Sequence, residues 1–240
     1  MKGIVLAGGK AKRLMPLTKI TSKQLLPVYN KPMIFYPLGT LLRAGIKEIL
    51  IIIAPDYAGH FLNLLGSGRD FGEGVKFTFE IQDHPKGLAD AFIIGESFID
   101  DDAVTMILGD NIIIDDVSEA IQNFRSGGRI FAKKVADPER FGVVEFDASR
   151  RALSIVEKPQ KPASDYAVTG IYIYDSRVVE FAKKLVPSAR GELEITDINN
   201  IFLKSGELDV RILEKPWFDA GTFDSLLAAS HYISEESKKK

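Results

Sequence analysis

The most regular feature of the chain is a set of short hydrophobic runs whose only polar residue is Thr105. They cover residues 3–7, 49–54 and 104–108, and each is followed by glycine or proline. A run that is apolar at every position is typical of a strand buried on both faces, as in a parallel sheet. We therefore predict three central strands.

Helical patterns separate these strands. Residues 33–44 carry apolar side chains at near-helical spacing and are followed by Gly45, which suits a helix C-cap, and residues 88–98 show a second such pattern. Strands that alternate with helices predict crossover units and a mostly parallel sheet. Ligands of such sheets bind beyond the carboxyl ends of the strands, where Gly8-Gly9 and Gly109-Asp110 lie.

The second half of the chain is patterned differently, with short strands between turn-rich segments. We predict strands at 143–146, 152–156, 171–174 and 210–213, and helices near 176–185, 194–204 and 222–234. These strands indicate an antiparallel or mixed addition to the sheet. Because no repeat or low-complexity linker is present, we predict one interlocked α/β domain over residues 1–240, with 235–240 as a solvated tail.

Composition restricts the chemistry. The 31 Lys and Arg residues nearly balance the 33 Asp and Glu residues, which argues against a nucleic-acid binder that relies on phosphate neutralisation. The absence of cysteine excludes disulfides, thiolate zinc sites and iron–sulfur clusters, and three histidines are few for a multi-histidine metal site. No apolar run reaches the roughly 18 residues of a membrane span. The N-terminal run is too short for a signal peptide. We expect a cytoplasmic protein with neither membrane nor nucleic acid as partner.

A glycine-rich turn follows the first predicted strand. Glycines at 8 and 9 allow backbone N–H groups to approach an anion closely. The positive residues around the turn are Lys10, Lys12, Arg13, Lys19 and Lys23. The segment is neither a Walker A loop nor a dinucleotide fingerprint. The residues alone leave two interpretations, a phosphate-binding loop or a tight turn with solvated lysines.

Two aspartates and one glutamine are further candidates. Asp110 follows the third strand, where a carboxylate could hold Mg²⁺ together with phosphate oxygens. Asp219 is a second acidic candidate, but its distance from Asp110 in the sequence does not show whether the two side chains meet. Gln82 could hydrogen-bond a nucleobase edge through its donor and its acceptor. The alternative interpretations, that Asp110 is only part of a turn and that Gln82 is only a polar loop residue, stay open.

Several blocks of the chain, in this order, resemble the nucleotidyltransferases that make sugar nucleotides, in particular the glucose-1-phosphate thymidylyltransferases. The resemblance covers nearly the whole chain. Its blocks are residues 6–14, 22–27, 82–92, 108–111, 137–143, 157–159, 166–170, 188–197 and 219–222.

The resemblance implies the nucleotide-diphospho-sugar transferase fold, a Rossmann-like, mostly parallel or mixed sheet flanked by helices with an inserted sugar-binding lobe. The nucleotide-binding half would span about 1–115 and the sugar-binding half about 116–234. The implied reaction joins dTTP and glucose 1-phosphate, with Mg²⁺ as cofactor, by in-line attack of the sugar phosphate on the α-phosphorus. Its products are dTDP-glucose and pyrophosphate. A homo-oligomer, dimer or tetramer, is also implied.

The resemblance also assigns roles to residues. Arg13, Lys23 and Asp110 would be catalytic, and Asp110 and Asp219 would bind the metal. The nucleotide would be bound by Leu6, Gly8, Gly9, Gln82, Gly87 and Leu88. The sugar phosphate would be bound by Asn111, Gly142, Glu157, Lys158, Val168 and Arg190.

The glycine loop departs from the family pattern at two positions. Ala11 stands where the family has a third glycine, and Lys12 stands at a hydroxyl position. If position 11 has a positive φ, alanine there costs about 1 kcal/mol or more. The chain ends soon after the helix that follows Asp219, so we expect no feedback control through a C-terminal extension. Two alternatives stay open: use of UTP or another sugar phosphate, and a nucleotide-sugar-binding protein without turnover.

Overall fold

The computed structural model describes residues 1–9 and 11–239. Lys10, one of the positive charges predicted around the glycine loop, and Lys240, the last residue of the predicted tail, lie outside the described residues. In the described part of the chain no helix is both long and apolar enough to span a membrane.

The described residues form thirteen strands and eight α-helices. The strands are β1 (Lys2–Ala7), β2 (Pro27–Val28), β3 (Lys31–Pro32), β4 (Glu48–Ile53), β5 (Lys76–Ile81), β6 (Val104–Leu108), β7 (Asn111–Ile113), β8 (Gly128–Lys134), β9 (Gly142–Phe146), β10 (Ala152–Glu157), β11 (Tyr166–Tyr174), β12 (Leu208–Ile212) and β13 (Trp217–Asp219). The helices are α1 (Phe35–Arg43), α2 (Ala58–Leu65), α3 (Asp90–Ile94), α4 (Glu96–Ile99), α5 (Ser118–Gln122), α6 (Arg177–Lys184), α7 (Ile195–Lys204) and α8 (Phe223–Lys238).

One mixed sheet of nine strands forms the centre of the molecule. Strands β5, β4, β1 and β6 are parallel neighbours, in that order. Strand β11 then runs antiparallel to β6, β8 runs antiparallel to β11, and β12 runs parallel to β8. The predicted parallel sheet with a mixed addition is therefore confirmed. Strands from both predicted halves, 1–115 and 116–234, share this sheet.

Helices cover both faces of the sheet, which explains the uninterrupted apolar runs. Alternate residues of β1 point to opposite sides, so that Ile4 packs in one core with helices α3, α6 and α7. Its neighbour Val5 packs in a second core with α1, α2 and α5. A smaller third core lies under α8, around Ala229. The result is a three-layer α/β/α arrangement.

Strand β11 changes partner along one edge, and this change opens a cleft. Its residues Ile171–Tyr174 pair with β6, whereas Ala167 pairs with the β9–β10 hairpin. Between these two pairings, Val168 and Gly170 line a cavity of about 500 Å³. The end of β6 therefore faces a cavity whose floor is β11.

Two predicted helices differ in the structure. The helix expected over 88–98 is divided at Gly95 into α3 and α4, and glycine is a weak helix former. The final helix continues to Lys238, so residues 235–238, assigned to the tail, are helical. Lys238 pairs with Glu235 at 2.7 Å, one turn earlier on the same helix.

Ala11 in the glycine loop has the positive φ angle that was considered from the sequence. Ala11 has φ 45° and ψ 42°, the left-handed region. The Ala11 carbonyl accepts hydrogen bonds from the Leu14 N–H and the Thr18 hydroxyl, each at 3.1 Å. These bonds hold the loop in a conformation that costs a non-glycine residue about 1 kcal/mol or more.

The two halves of the chain are joined by direct backbone contact at Gly87. The Leu193 N–H donates to the Lys86 carbonyl at 2.7 Å, and the Ala89 N–H donates to the Leu193 carbonyl at 3.2 Å. Gly87 has φ +106°, and a Cβ there would lie 2.4 Å from the Leu193 oxygen. Only glycine allows this approach.

We predict that Gly87→Ala lowers the free energy of unfolding by about 2–4 kcal/mol, because it combines a disfavoured φ with a backbone clash. The measurement is urea unfolding. Gly59→Ala in α2 is the matched control, since a Cβ there meets no atom of residues 1–9 and 11–239 within 4 Å. The control should be neutral or stabilising by up to about 1 kcal/mol. Equal effects of the two substitutions would contradict the prediction.

Candidate active site

A two-stranded pairing brings the two candidate metal ligands together. Strand β7 pairs antiparallel with β13, and Asn111 lies opposite Asp219 in the register. The Ala220 N–H donates to the Asp110 carbonyl at 2.9 Å, which closes the pair at this end. Asp110 and Asp219 therefore meet at the carboxyl end of β6, although they are far apart in sequence.

Asp110 is held as a buried carboxylate. It is 7% exposed, and its side chain forms an ion pair and hydrogen bond with the Lys23 ammonium. Burial alone would raise the pKa of Asp110, but the Lys23 charge and hydrogen bonds from Lys23 and Asn111 lower it below its ordinary value. Asp110 is therefore ionised over the physiological pH range.

Asp219 is affected in the opposite direction. Burial, followed by the negative charge of Asp110, raises the pKa of Asp219 from 3.8 to about 6, against the opposing charges of Lys23, Arg13 and Arg140. A cation bound between the two carboxylates would offset their repulsion. The donor set thus fits a divalent ion that takes one or two carboxylates and phosphate oxygens. Across residues 1–9 and 11–239 there is no larger group of three or more metal-ligating side chains.

Arg13 reaches this acidic pair from the glycine loop. A Cβ on Gly221 would lie 2.8 Å from an Arg13 guanidinium nitrogen and 3.3 Å from Asp219 Oδ1. The missing side chain at Gly221 therefore leaves the space that the guanidinium occupies. Arg140 is a second guanidinium beside the same carboxylate, with Nη2 3.8 Å from Asp219 Oδ2.

A cavity of about 500 Å³, which we call the large cavity, opens beside the two acids. It is lined by all six residues assigned to the sugar phosphate, together with Arg13, Leu88, Asp110 and Asp219. The six are Asn111, Gly142, Glu157, Lys158, Val168 and Arg190. The structure thus collects residues from both halves of the chain around one space.

The orientation of the Asn111 amide is fixed by its neighbours. Its Oδ1 accepts hydrogen bonds from the Gly170 N–H at 2.9 Å and from the Trp217 indole N–H at 2.6 Å. Its Nδ2 donates to Asp110 Oδ1 at 3.1 Å. Because both donors require an oxygen, the amide can adopt one orientation, with Nδ2 turned away from Gly170 and Trp217.

Glu157 is held by partners on both of its oxygens. The Thr196 hydroxyl donates to Oε2 at 2.7 Å, and Arg190 Nη2 donates to Oε1 at 3.1 Å. Arg190 also donates to Glu194 at 2.8 Å. Burial lowers the pKa of Arg190, but Glu194 and the other carboxylates around it raise the pKa above its ordinary value. The guanidinium is therefore charged and already oriented.

Two further cavities are lined by residues of the glycine loop and its surroundings. The small cavity, of about 190 Å³, is lined by five of the six residues assigned to the nucleotide, namely Leu6, Gly9, Gln82, Gly87 and Leu88, and also by Lys23 and Asp110. Gly8 lines the adjacent loop cavity of about 390 Å³, together with Gly9, Lys12, Lys23 and Gln82. Asp110 is thus common to the small and large cavities.

Sequence reasoning missed several residues of the site. Arg140, Thr196 and Trp217 line the large cavity, and Asp90 hydrogen-bonds Gln82. Arg140 and Thr196 lie inside blocks that carry the family resemblance, and Trp217 lies two positions before Asp219. Position within such a block could have identified Arg140 and Thr196, and also Asp90 in block 82–92, whereas Trp217 lies just before block 219–222.

Comparison with known proteins agrees with this geometry. The chain matches the family described as nucleotidyl transferase over residues 2–236. The glucose-1-phosphate thymidylyltransferase of Neisseria meningitidis serogroup A is 53% identical over 239 residues, which cover 97% of this chain and 82% of that protein.

Solved structures show the same fold. A Bacillus anthracis protein assigned to the glucose-1-phosphate thymidylyltransferases and solved with sucrose is 47% identical, with a TM-score of 0.91 and coverage of 97% and 94% of the two chains. A UDP-glucose pyrophosphorylase complexed with UDP-glucose is 24% identical, with a TM-score of 0.85 and 98% coverage of both chains, and shows the fold alone. The expected fold and enzyme class are confirmed: the chain belongs to the nucleotidyltransferase family.

Proposed function

We propose that this enzyme joins dTTP and glucose 1-phosphate to give dTDP-glucose and pyrophosphate. The observation that carries the proposal is the position of Asp110, which lies in the wall between the small and large cavities beside Asp219. A nucleotide in one cavity and a sugar phosphate in the other would meet at these carboxylates. The thymidylyltransferase relative at 53% identity supports the choice of base and sugar.

The small cavity suits the nucleoside. Gln82 would bind the base edge, Leu6 and Leu88 would pack against the ring, and Gly87 would contribute its backbone. Gly8 and Gly9 leave the glycine loop open for close approach of the triphosphate. Lys23 and Arg13 would then offset the charge of the triphosphate and of the departing pyrophosphate.

The large cavity suits the sugar phosphate. Asn111, with its amide orientation fixed, and Glu157, held by Thr196 and Arg190, would bind sugar hydroxyls. Gly142 and Val168 would line the ring. Lys158 and Arg190 would bind the phosphate, for which a planar guanidinium provides paired donors.

The proposed reaction is an in-line displacement. A phosphate oxygen of glucose 1-phosphate attacks the α-phosphorus of dTTP, the new P–O bond forms, and the bond to the β-phosphate oxygen breaks with release of pyrophosphate. Such chemistry depends on positioning and charge neutralisation. Mg²⁺ held by Asp110 and Asp219 would offset the negative charge of the phosphate oxygens.

We also propose that the enzyme acts in the cytoplasm as a homo-oligomer of two or four chains. In support, helix α8 exposes apolar side chains, with Phe223 46% and Leu227 70% exposed. Such residues on one helix suit a contact between copies of the chain. The mass of the enzyme in solution tests this proposal.

The first test is pyrophosphate release from the purified enzyme with Mg²⁺, glucose 1-phosphate and dTTP, UTP, CTP, ATP or GTP. We expect release to be fastest with dTTP and to be abolished by chelation of the metal. Preference for UTP would keep the mechanism and change the base. If the protein binds dTDP-glucose but releases no pyrophosphate with any nucleotide, it is a binding protein and the proposal is wrong.

We predict that Asp110→Asn lowers kcat by about 100-fold or more, because it removes a metal ligand and the partner of Lys23. The matched control is Asp101→Asn. Asp101 is exposed and precedes the start of β6, whereas Asp110 follows its end, so this variant should keep normal turnover. The assay is again pyrophosphate release. Near-normal turnover by Asp110→Asn would exclude the metal assignment.

A second prediction uses stability in the absence of metal. Because the pKa of Asp219 is raised to about 6, the folded state binds this proton more tightly than the unfolded chain does. Ionisation of Asp219 therefore destabilises the fold as pH rises from about 4 to 6. Asp219→Asn should raise the free energy of unfolding by about 2 kcal/mol at pH 7.5, and by little at pH 4.

The measurement is chemical unfolding of metal-free protein at both pH values, with Asp101→Asn as the control. Added Mg²⁺ should then stabilise the wild-type protein more than Asp219→Asn. A difference between wild type and Asp219→Asn that does not change with pH would refute the electrostatic account of this pair.

A further inference from the structure

Gln82 is held from both its backbone and its side chain. It follows strand β5, its backbone N–H donates to the Ile53 carbonyl at 2.9 Å, and it is 5% exposed. Its side-chain Nε2 donates to Asp90 Oδ2 at 2.8 Å. Asp90 begins helix α3 and is itself buried, at 8% exposure. The glutamine thus has little freedom to move.

The partner also determines which way round the amide lies. An ionised carboxylate accepts hydrogen bonds and donates none, so Gln82 must turn its NH₂ group towards Asp90. Its Oε1 then lies against Gly8, where a Cβ would be only 2.6 Å away. The flipped amide would place Oε1 against the carboxylate and lose a charge-assisted hydrogen bond, which disfavours it by about tenfold or more.

We propose that Asp90 is a positioning residue that determines base specificity through Gln82. This inference rests on the proposed function, in which Gln82 binds the base edge. The fixed amide offers Oε1 as an acceptor and its second N–H as a donor. That pair matches bases with a ring N–H beside a carbonyl, as in thymine, uracil and guanine. Cytosine and adenine carry an amino group beside an unprotonated ring nitrogen, and a base in the same pose would need the flipped amide.

The Gln82 amide is held in one orientation by a side chain and not by the loop backbone. We call this restraint of Gln82 by Asp90 the lock. Gly8 provides space for Oε1 without contributing a side chain, and the Gln82 backbone is bound to β4 rather than to the ligand. Asp90 is therefore the group that chooses between the two amide orientations. A role in stability alone would be different, because it would change unfolding and leave the preference among bases intact.

The test compares kcat/KM for dTTP, dUTP and dCTP in wild type and in Asp90→Asn. Asparagine has nearly the same shape but can donate as well as accept, so the amide of Gln82 is released. We expect the ratio of dTTP to dCTP to fall by about tenfold. The ratio of dTTP to dUTP should not change, because these bases share the same edge. An unchanged dTTP to dCTP ratio in the active variant would overturn the proposal.

Repeating the Asp90 substitution in a variant that lacks the Gln82 amide shows whether Asp90 acts through Gln82. Gln82→Met has a similar length and no hydrogen-bonding amide, so adding Asp90→Asn to it should leave the dTTP to dCTP ratio where Gln82→Met alone puts it. A further shift in the double variant would show that Asp90 acts by another route, and would refute the lock. Asp90→Ala serves if Asp90→Asn does not fold, with the same expected fall in the ratio.

Failure of the proposed function gives a different result. If the wild-type enzyme does not turn over dTTP, the dissociation constants of the same three nucleotides are measured by calorimetry for wild type and Asp90→Asn. A change in the ratio of dissociation constants for dTTP and dCTP would support the lock and discard the reaction. Equal ratios in the two proteins would discard the lock as well.

Discussion

The antiparallel pairing of β7 with β13 is the constraint on which the site depends. It places Asp219 opposite Asn111 and closes on Asp110, so that a segment near the end of the chain completes a site begun by the central sheet. Two carboxylates brought together repel each other, and the pKa of Asp219 is raised first by burial and then by the negative charge of Asp110. The fold therefore maintains a local electrostatic strain that a bound cation would relieve.

Side-chain amides in this site are oriented by partners that leave one choice. Asn111 must present its oxygen to two N–H donors, and Gln82 must present its nitrogen to a carboxylate. The Asn111 oxygen is thereby fully used by its two donors, whereas Gln82 keeps its oxygen and its second N–H for a ligand. In our account the two cavities distinguish their ligands by the same physical device, and Asp110 connects them through its hydrogen bond from Asn111.

The sequence predicted the buried central strands well, because parallel strands covered on both faces leave uninterrupted apolar runs. It did not indicate β8, whose segment GRIFAKK ends in lysines and has only a short apolar centre. The glycine loop was visible in the residues themselves, whereas most cavity residues were recognised through the family blocks. The meeting of Asp110 with Asp219 depends on pairing between distant strands, and the Asp90 contact depends on burial, so neither is visible in local patterns.

In the proposed enzyme one cation site joins a nucleotide cavity to a sugar-phosphate cavity. A crystal structure with Mg²⁺ and dTDP-glucose would test this arrangement. We expect thymine against Gln82 in the small cavity, glucose in the large cavity beside Trp217, and the metal bound by both Asp110 and Asp219. Glucose outside the large cavity, or a metal bound away from these two carboxylates, would contradict it.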